Sequence, residues 1–88
     1  MLFIHPHARS HGVGDDDIAE AFKTGVQSAV LLEGSAPPRW LLAGFDTAGR
    51  CVELVVVEVE AESHLAIHAM PARKQTLAQI RNTRRRSR

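Results

Sequence analysis

The apolar positions of this chain change period along its length. Between Asp15 and Gly25, Ile18, Ala21 and Phe22 recur at the intervals of one helix face. Asp15, Asp16 and Asp17 open that segment, where the helix dipole favours anions. A helix is therefore predicted from Asp15, with Val13 placed to staple against Ile18 and Gly25 placed to end it. Upstream, residues 1–4 read as a short edge strand stopped by Pro6, and residues 7–11 as one helical turn ended by Gly12 and Gly14. Downstream, residues 26–33, 39–45, 51–60 and 64–70 read as four successive strands. Between them lie turn-forming residues at 34–38, 46–49 and 61–63. The third strand carries Val52, Leu54 and Val56 on one face and Val55, Val57 and Val59 on the other, which predicts a central strand covered at least partly on both sides. Pro71 ends the fourth strand and can open a last helix from Ala72 to about Asn82, with Leu77 and Ile80 on one side. Residues 83–88 are expected to be disordered.

The resulting expectation is an α+β fold: N-terminal helices, an antiparallel meander of three to four strands, then a basic C-terminal helix. At 88 residues there is room for one domain, placed at residues 1–82 with a basic tail at 83–88. An apolar share of 44% suffices for a globular core. Phe3, Phe22, Trp40 and Phe45 are the only aromatic residues of that kind, too few for a visible base-stacking platform. The lone Cys51 has no partner for an internal disulfide and reads as a small buried hydrophobe, which suits a reducing cytoplasm. The apolar run at 52–59 is interrupted by Glu53 and Glu58 and is too short to span a bilayer. Residues 1–7 lack the basic flank and apolar stretch of a signal peptide, so a cytoplasmic protein without a membrane partner is expected.

Charge adds direction to this picture. Residues 1–44 hold three basic and five acidic side chains, whereas residues 45–88 hold eight basic and five acidic ones. From 71 to 88 there are seven basic residues and no acidic one, which points to a polyanion or an acidic partner, or to a solvated tail.

Pairing the third and fourth strands so that Leu54 and Val56 face Ala69 and Ile67 places Glu53 and His68 together on one face as diagonal neighbours. Arg39 joins them in one hairpin register and not in the other, and Arg73 and Lys74 follow just past the fourth strand. A Glu, a His and two or three cations around one patch are what RNA cleavage without a metal requires. One group deprotonates a 2′-hydroxyl, cations stabilise the phosphorane, and another group protonates the leaving oxygen. The ordinary alternative pairs Glu53 with Arg39 or Arg50 and leaves His68 a half-buried strand residue; on residue chemistry alone it is the simpler. His7 and His11 stand at the i, i+4 spacing of zinc ligands, with Asp15 beyond them. No cysteine pair supports a zinc site and glycines intervene, so packing and capping roles are expected for His5, His7 and His11 and no metal is assigned. No phosphate-binding Gly-rich loop or nucleophile elbow is present in the sequence, and no cofactor is expected.

Several segments resemble a known family. The run His7-Ala8-Arg9-Ser10-His11-Gly12-Val13 before an acidic helix start resembles the R-K-H-G-I/V-S/T-x-x-E/D opening of BrnT-like toxins and their actinobacterial relatives. Arg39-Trp40-Leu41-Leu42-Ala43-Gly44 resembles that family's R-x-x-x-x-G strand. The segment from Ala48-Gly49-Arg50-Cys51 through Val52-Glu53-Leu54-Val55-Val56-Val57 resembles its G-R-x-L-E-V-V-V strand. Ile67-His68-Ala69-Met70-Pro71-Ala72-Arg73-Lys74 resembles I-H-A-M-x-x-R-x-K, so the likeness spans about residues 4–78. It implies a fold related to the RelE-type ribonuclease toxins of type II toxin–antitoxin modules, which cut RNA without a metal and are covered by a small antitoxin. Arg39, Glu53, His68 and Arg73 fall on matching positions, with Lys74 beside them.

The leading expectation is a toxin-like, metal-independent ribonuclease. Glu53, His68 and Arg73 would form its catalytic group, with Glu53 or His68 as base and the other as acid or orienting group. Arg39, Arg50 and Lys74 would bind RNA. A non-catalytic domain that binds an acidic antitoxin-like partner through the same surface is the second reading. DNA binding through residues 71–88 is the third, without a helix-turn-helix or ribbon signature. Exposed sheet edges also leave a homodimer open.

Overall fold

Ten residues at Cys51–Glu60 form β4, the middle of a five-stranded sheet. The computed structural model describes residues 1–60 and 62–86. Its other strands are β1 (Leu2–Ile4), β2 (Val30–Leu32), β3 (Arg39–Phe45) and β5 (Ser63–Pro71), and its helices are α1 (Asp15–Gly25) and α2 (Lys74–Arg86). The spatial order is β1-β5-β4-β3-β2. Strands β2 to β5 pair antiparallel, whereas β1 lies parallel to β5. The α+β class stands, and the expected antiparallel meander is enlarged to a mixed sheet. The reason is spatial: a three-residue strand has no register of its own in the sequence, and it pairs with the edge that β5 leaves open.

The two faces of the sheet have different covers. Toward α1, Ile18 and Ala21 pack on Leu42, Val52, Leu54, Val56, Ala66 and Ala69, all buried. Toward α2, Ile80 packs on Val30 and Leu41, flanked by Leu32, Ala43 and Val55. The prediction that β4 is covered on both sides holds for this reason. Helix α1 lies so close to β3 that a Cβ on Gly44 would fall inside the Ala21 carbonyl. Thr24 fixes the same contact: its hydroxyl accepts the Phe45 N–H at 2.8 Å and donates back to the Glu20 carbonyl at 3.0 Å.

Three boundaries differ from the expectation. Helix α1 ends at Gly25 as expected, but the next strand does not begin there: a 3-10 turn at Val26–Ser28 takes up residues read as strand, leaving only Val30–Leu32 to pair with β3. The last helix starts at Lys74 rather than Ala72, because Pro71 still pairs with Val52 and the Ala72 N–H bonds the Cys51 carbonyl at 3.0 Å. It then runs on to Arg86, so residues 83–86 of the expected tail are helical, while residues 87 and 88 lie outside the described residues. No described helix is long and apolar enough to cross a membrane.

Candidate active site

The register of the sheet assembles the candidate group. On β4, Glu53 stands opposite Ala43 of β3 and Met70 of β5, and Val55 stands opposite His68. Glu53 and His68 are therefore diagonal neighbours on one face, as the pairing Leu54–Ala69 demands. The expected pairing of Val56 with Ile67 is replaced by Val56 with Ala66, because the register shifts between Val55 and Val56. With Ala66 and Ala69 both buried toward α1, the two residues between them, Ile67 and His68, border the same depression on the α2 side.

Glu53 is 1% exposed and its carboxylate is fully engaged. Oε1 accepts the Arg73 backbone N–H at 3.0 Å and Arg73 Nε at 3.1 Å, and Oε2 accepts Arg73 Nη2 at 2.9 Å. Oε2 also lies 3.0 Å from His68 Nε2, and the Thr76 hydroxyl bonds the same carboxylate. Burial by itself pushes this acid up, but the Arg73, Thr76 and His68 hydrogen bonds prevail and hold it at about 2. An ionised carboxylate only accepts hydrogen bonds. The proton between Glu53 and His68 therefore sits on Nε2, and in the neutral form of the ring the lone pair is on Nδ1. Because Arg73 immediately precedes α2, the same carboxylate also sits at the N-terminal end of that helix, where the dipole favours it.

The remaining predicted residues divide. Arg39 lies on the same face two residues beyond Leu41, opposite Val57, and borders an open depression of about 350 Å³ that Glu53, His68, Arg73 and Thr76 also line. Lys74, the first residue of α2, is exposed. Arg50 stands apart at the β3–β4 turn, where its Nε donates to Asp46 Oδ2 at 2.9 Å. Asp46 is itself buried and its Oδ1 takes the N–H groups of Ala48 and Arg50; burial opposes its ionisation, but these bonds hold it below the usual carboxylate range. The simple pairing of Glu53 with Arg39 or Arg50 is thus not made, and Arg73 takes that place.

The N-terminal histidines are arranged by local contacts. His5 Nδ1 accepts the His7 N–H at 3.1 Å and the two rings stack, while Asp15 is held by Arg9 at 2.8 and 3.0 Å. No three His, Cys, Asp or Glu side chains among the described residues gather as metal ligands. His11 ends elsewhere than the sequence reading placed it: its ring meets His68 edge-on, with centroids 5.7 Å apart. Spacing along the chain pairs His11 with His7, whereas the contact with His68 comes from the docking of the N-terminal turn against β5. Comparison with protein families, with curated proteins and with solved structures finds no match to this chain.

Proposed function

We propose that the chain is a toxin-like ribonuclease domain of a type II toxin–antitoxin module, related in fold to the RelE and BrnT toxins and cutting RNA without a metal. The observation that carries this reading is the bond from His68 Nε2 to a buried, ionised Glu53 beside an open, cation-rimmed depression. In this arrangement Glu53 is the orienting group and not the base, since a carboxylate held at about 2 has too little proton affinity to abstract a hydroxyl proton. His68 takes the proton of the 2′-hydroxyl on Nδ1, and the imidazolium so formed is stabilised by the Glu53 carboxylate. Arg73 spends Nε and Nη2 on Glu53 but is 47% exposed, so its Nη1 group remains to face a phosphate, with Arg39 bordering the same depression and the exposed Lys74 next to Arg73 in the chain.

Incubating the purified chain with labelled single-stranded RNA in EDTA, and expressing it in a bacterial host, tests this directly. Cleavage with growth arrest, both lost in His68→Gln, is the expected result. Wild-type protein that neither cuts RNA nor slows growth would exclude it. A second reading, a non-catalytic domain that binds an acidic partner, is favoured by one observation: the Arg73 guanidinium is already bidentate on Glu53 and anchors α2. It predicts that Glu53→Gln and His68→Ala keep partner binding and that Arg73→Glu abolishes it.

A further inference from the structure

Cleavage of RNA by transesterification needs two proton transfers, and the Glu53–His68 pair supplies one. Glu53 is committed to Arg73, Thr76 and His68, and guanidinium groups do not give up protons in this range. A second proton donor has to stand near His68. Among the described residues the ring in contact with His68 is that of His11.

His11 is held where it is by a built loop. The Ser10 and Gly12 N–H groups bond the His7 and Arg9 carbonyls at 3.2 Å, and Arg9 grips Asp15 at the start of α1. Gly12 then reverses the chain at φ 79°. The ring is exposed, and no hydrogen bond to it is made by any described residue. The charged groups around it are already paired. Asp17, Asp46 and Arg50 line a cavity of about 140 Å³ with His11, but Asp17 takes the Thr47 N–H and hydroxyl, and Asp46 takes Arg50. On its other side it faces His68, whose Nε2 is bound to Glu53 beside Arg73.

We propose that His11 is the second catalytic histidine of this site, the general acid that protonates the leaving oxygen. The proposal rests on the ribonuclease reading above. His68 starts with a lone pair on Nδ1 and is the base, which leaves the acid role to His11 carrying its proton. As His68 Nδ1 takes the 2′-hydroxyl proton, O2′ bonds to phosphorus. The P–O5′ bond breaks, its electron pair goes to O5′, and the His11 proton follows. The products are a 2′,3′-cyclic phosphate and a free 5′-hydroxyl, with each ring left in the other's starting protonation state. Solvent exchange restores both. The ring spacing of 5.7 Å puts the two imidazoles within reach of one phosphodiester.

A leaving-group substitution tests this. Two 5′-labelled mixed-sequence RNAs are compared, one ordinary and one with sulfur replacing O5′ at a single linkage, a leaving group that departs without protonation. His11→Ala is expected to slow ordinary RNA about a hundredfold. It should cut the sulfur-substituted linkage close to the wild-type rate, and added imidazole should restore part of the loss on ordinary RNA. Binding of a 2′-O-methyl strand should be unchanged. His68→Gln should be slow on both substrates. Ordinary cleavage at the wild-type rate by His11→Ala, or an equal loss on both substrates, would overturn the assignment while leaving the ribonuclease reading intact. Wild-type protein inert on both RNAs would instead remove that reading, and this role with it. His11→Asn provides a second variant, and circular dichroism verifies that each is folded.

Discussion

Burial alone would raise the proton affinity of Glu53, yet Arg73, Thr76 and His68 outweigh it and hold the acid at about 2. Its affinity for the proton is thus lower in the folded chain than in the unfolded one. The stability it contributes is present above its ordinary value of 4.5 and is lost as pH falls toward about 2. Glu53→Gln removes the charge and keeps the shape. At neutral pH it should cost roughly 2 kcal/mol, the scale of lost hydrogen bonds to a charged group. Urea titrations at several pH values should show the difference between variant and wild type closing below the ordinary carboxylate range. A gap that stays constant with pH would mean that the charge is not what holds this end of α2. His68→Gln separates structure from chemistry at the neighbouring position. Its amide can still donate to Glu53, so the midpoint in urea should barely move, while RNA cleavage falls by about 10²- to 10⁴-fold for want of a base.

Helix α2 is the lightly anchored element. It buries Thr76 and Ile80, leaves Leu77 exposed, and is clasped at its N-terminal end by the Glu53–Arg73 contacts. Ile80→Ala should therefore loosen α2 first, at a cost of about 2 kcal/mol, the low end for such truncations. Hydrogen exchange should show lost protection in α2 with β4 and β5 preserved; uniform loss across the sheet would show that α2 is integral to the core. Helix α1 behaves oppositely, since Gly44→Ala drives a methyl into its Ala21 carbonyl and should destabilise the whole domain by about 1–3 kcal/mol in thermal melts. How much of this was legible follows from where the information lies. The limits of β3 and β4 could be read from alternation and turn residues, because each strand is long and bounded by loops. The Glu53–His68 neighbourhood followed from the apolar pairing of Leu54 with Ala69. The bulge at Ile67, the parallel placement of β1 and the short β2 are decided by which edges remain free to pair. Arg73 as the partner of Glu53, and His11 beside His68, depend on how α2 and the N-terminal turn dock, which strand periodicity does not encode.

At the scale of the whole molecule, the charge asymmetry along the sequence becomes an asymmetry between two faces. A radius of gyration of 12.1 Å matches the roughly 12 Å of a compact chain this long, so both faces belong to one body. Helix α1, with Asp15, Asp16, Asp17 and Glu20, covers one face of the sheet, and α2, with Lys74, Arg81 and Arg84, covers the other. The Glu53–His68 pair and Arg39 open on the α2 side, so the RNA strand proposed as substrate would meet the cations there and not the acidic helix. Single-strand binding should then weaken linearly on a log–log plot against salt, with a slope of about −0.7 for each phosphate contact. Replacing Arg81 and Arg84 together by Ala should flatten the slope by about 1.4 while leaving cleavage of saturating RNA unchanged, because neither residue borders the reacting group. The measurement is fluorescence anisotropy of a labelled strand across a salt series, paired with single-turnover rates. An unchanged slope would remove the distal part of α2 from the footprint and confine RNA contact to Arg39, Arg73 and Lys74. A slope that flattens together with the single-turnover rate would mean that α2 positions the scissile phosphate as well as attracting the strand.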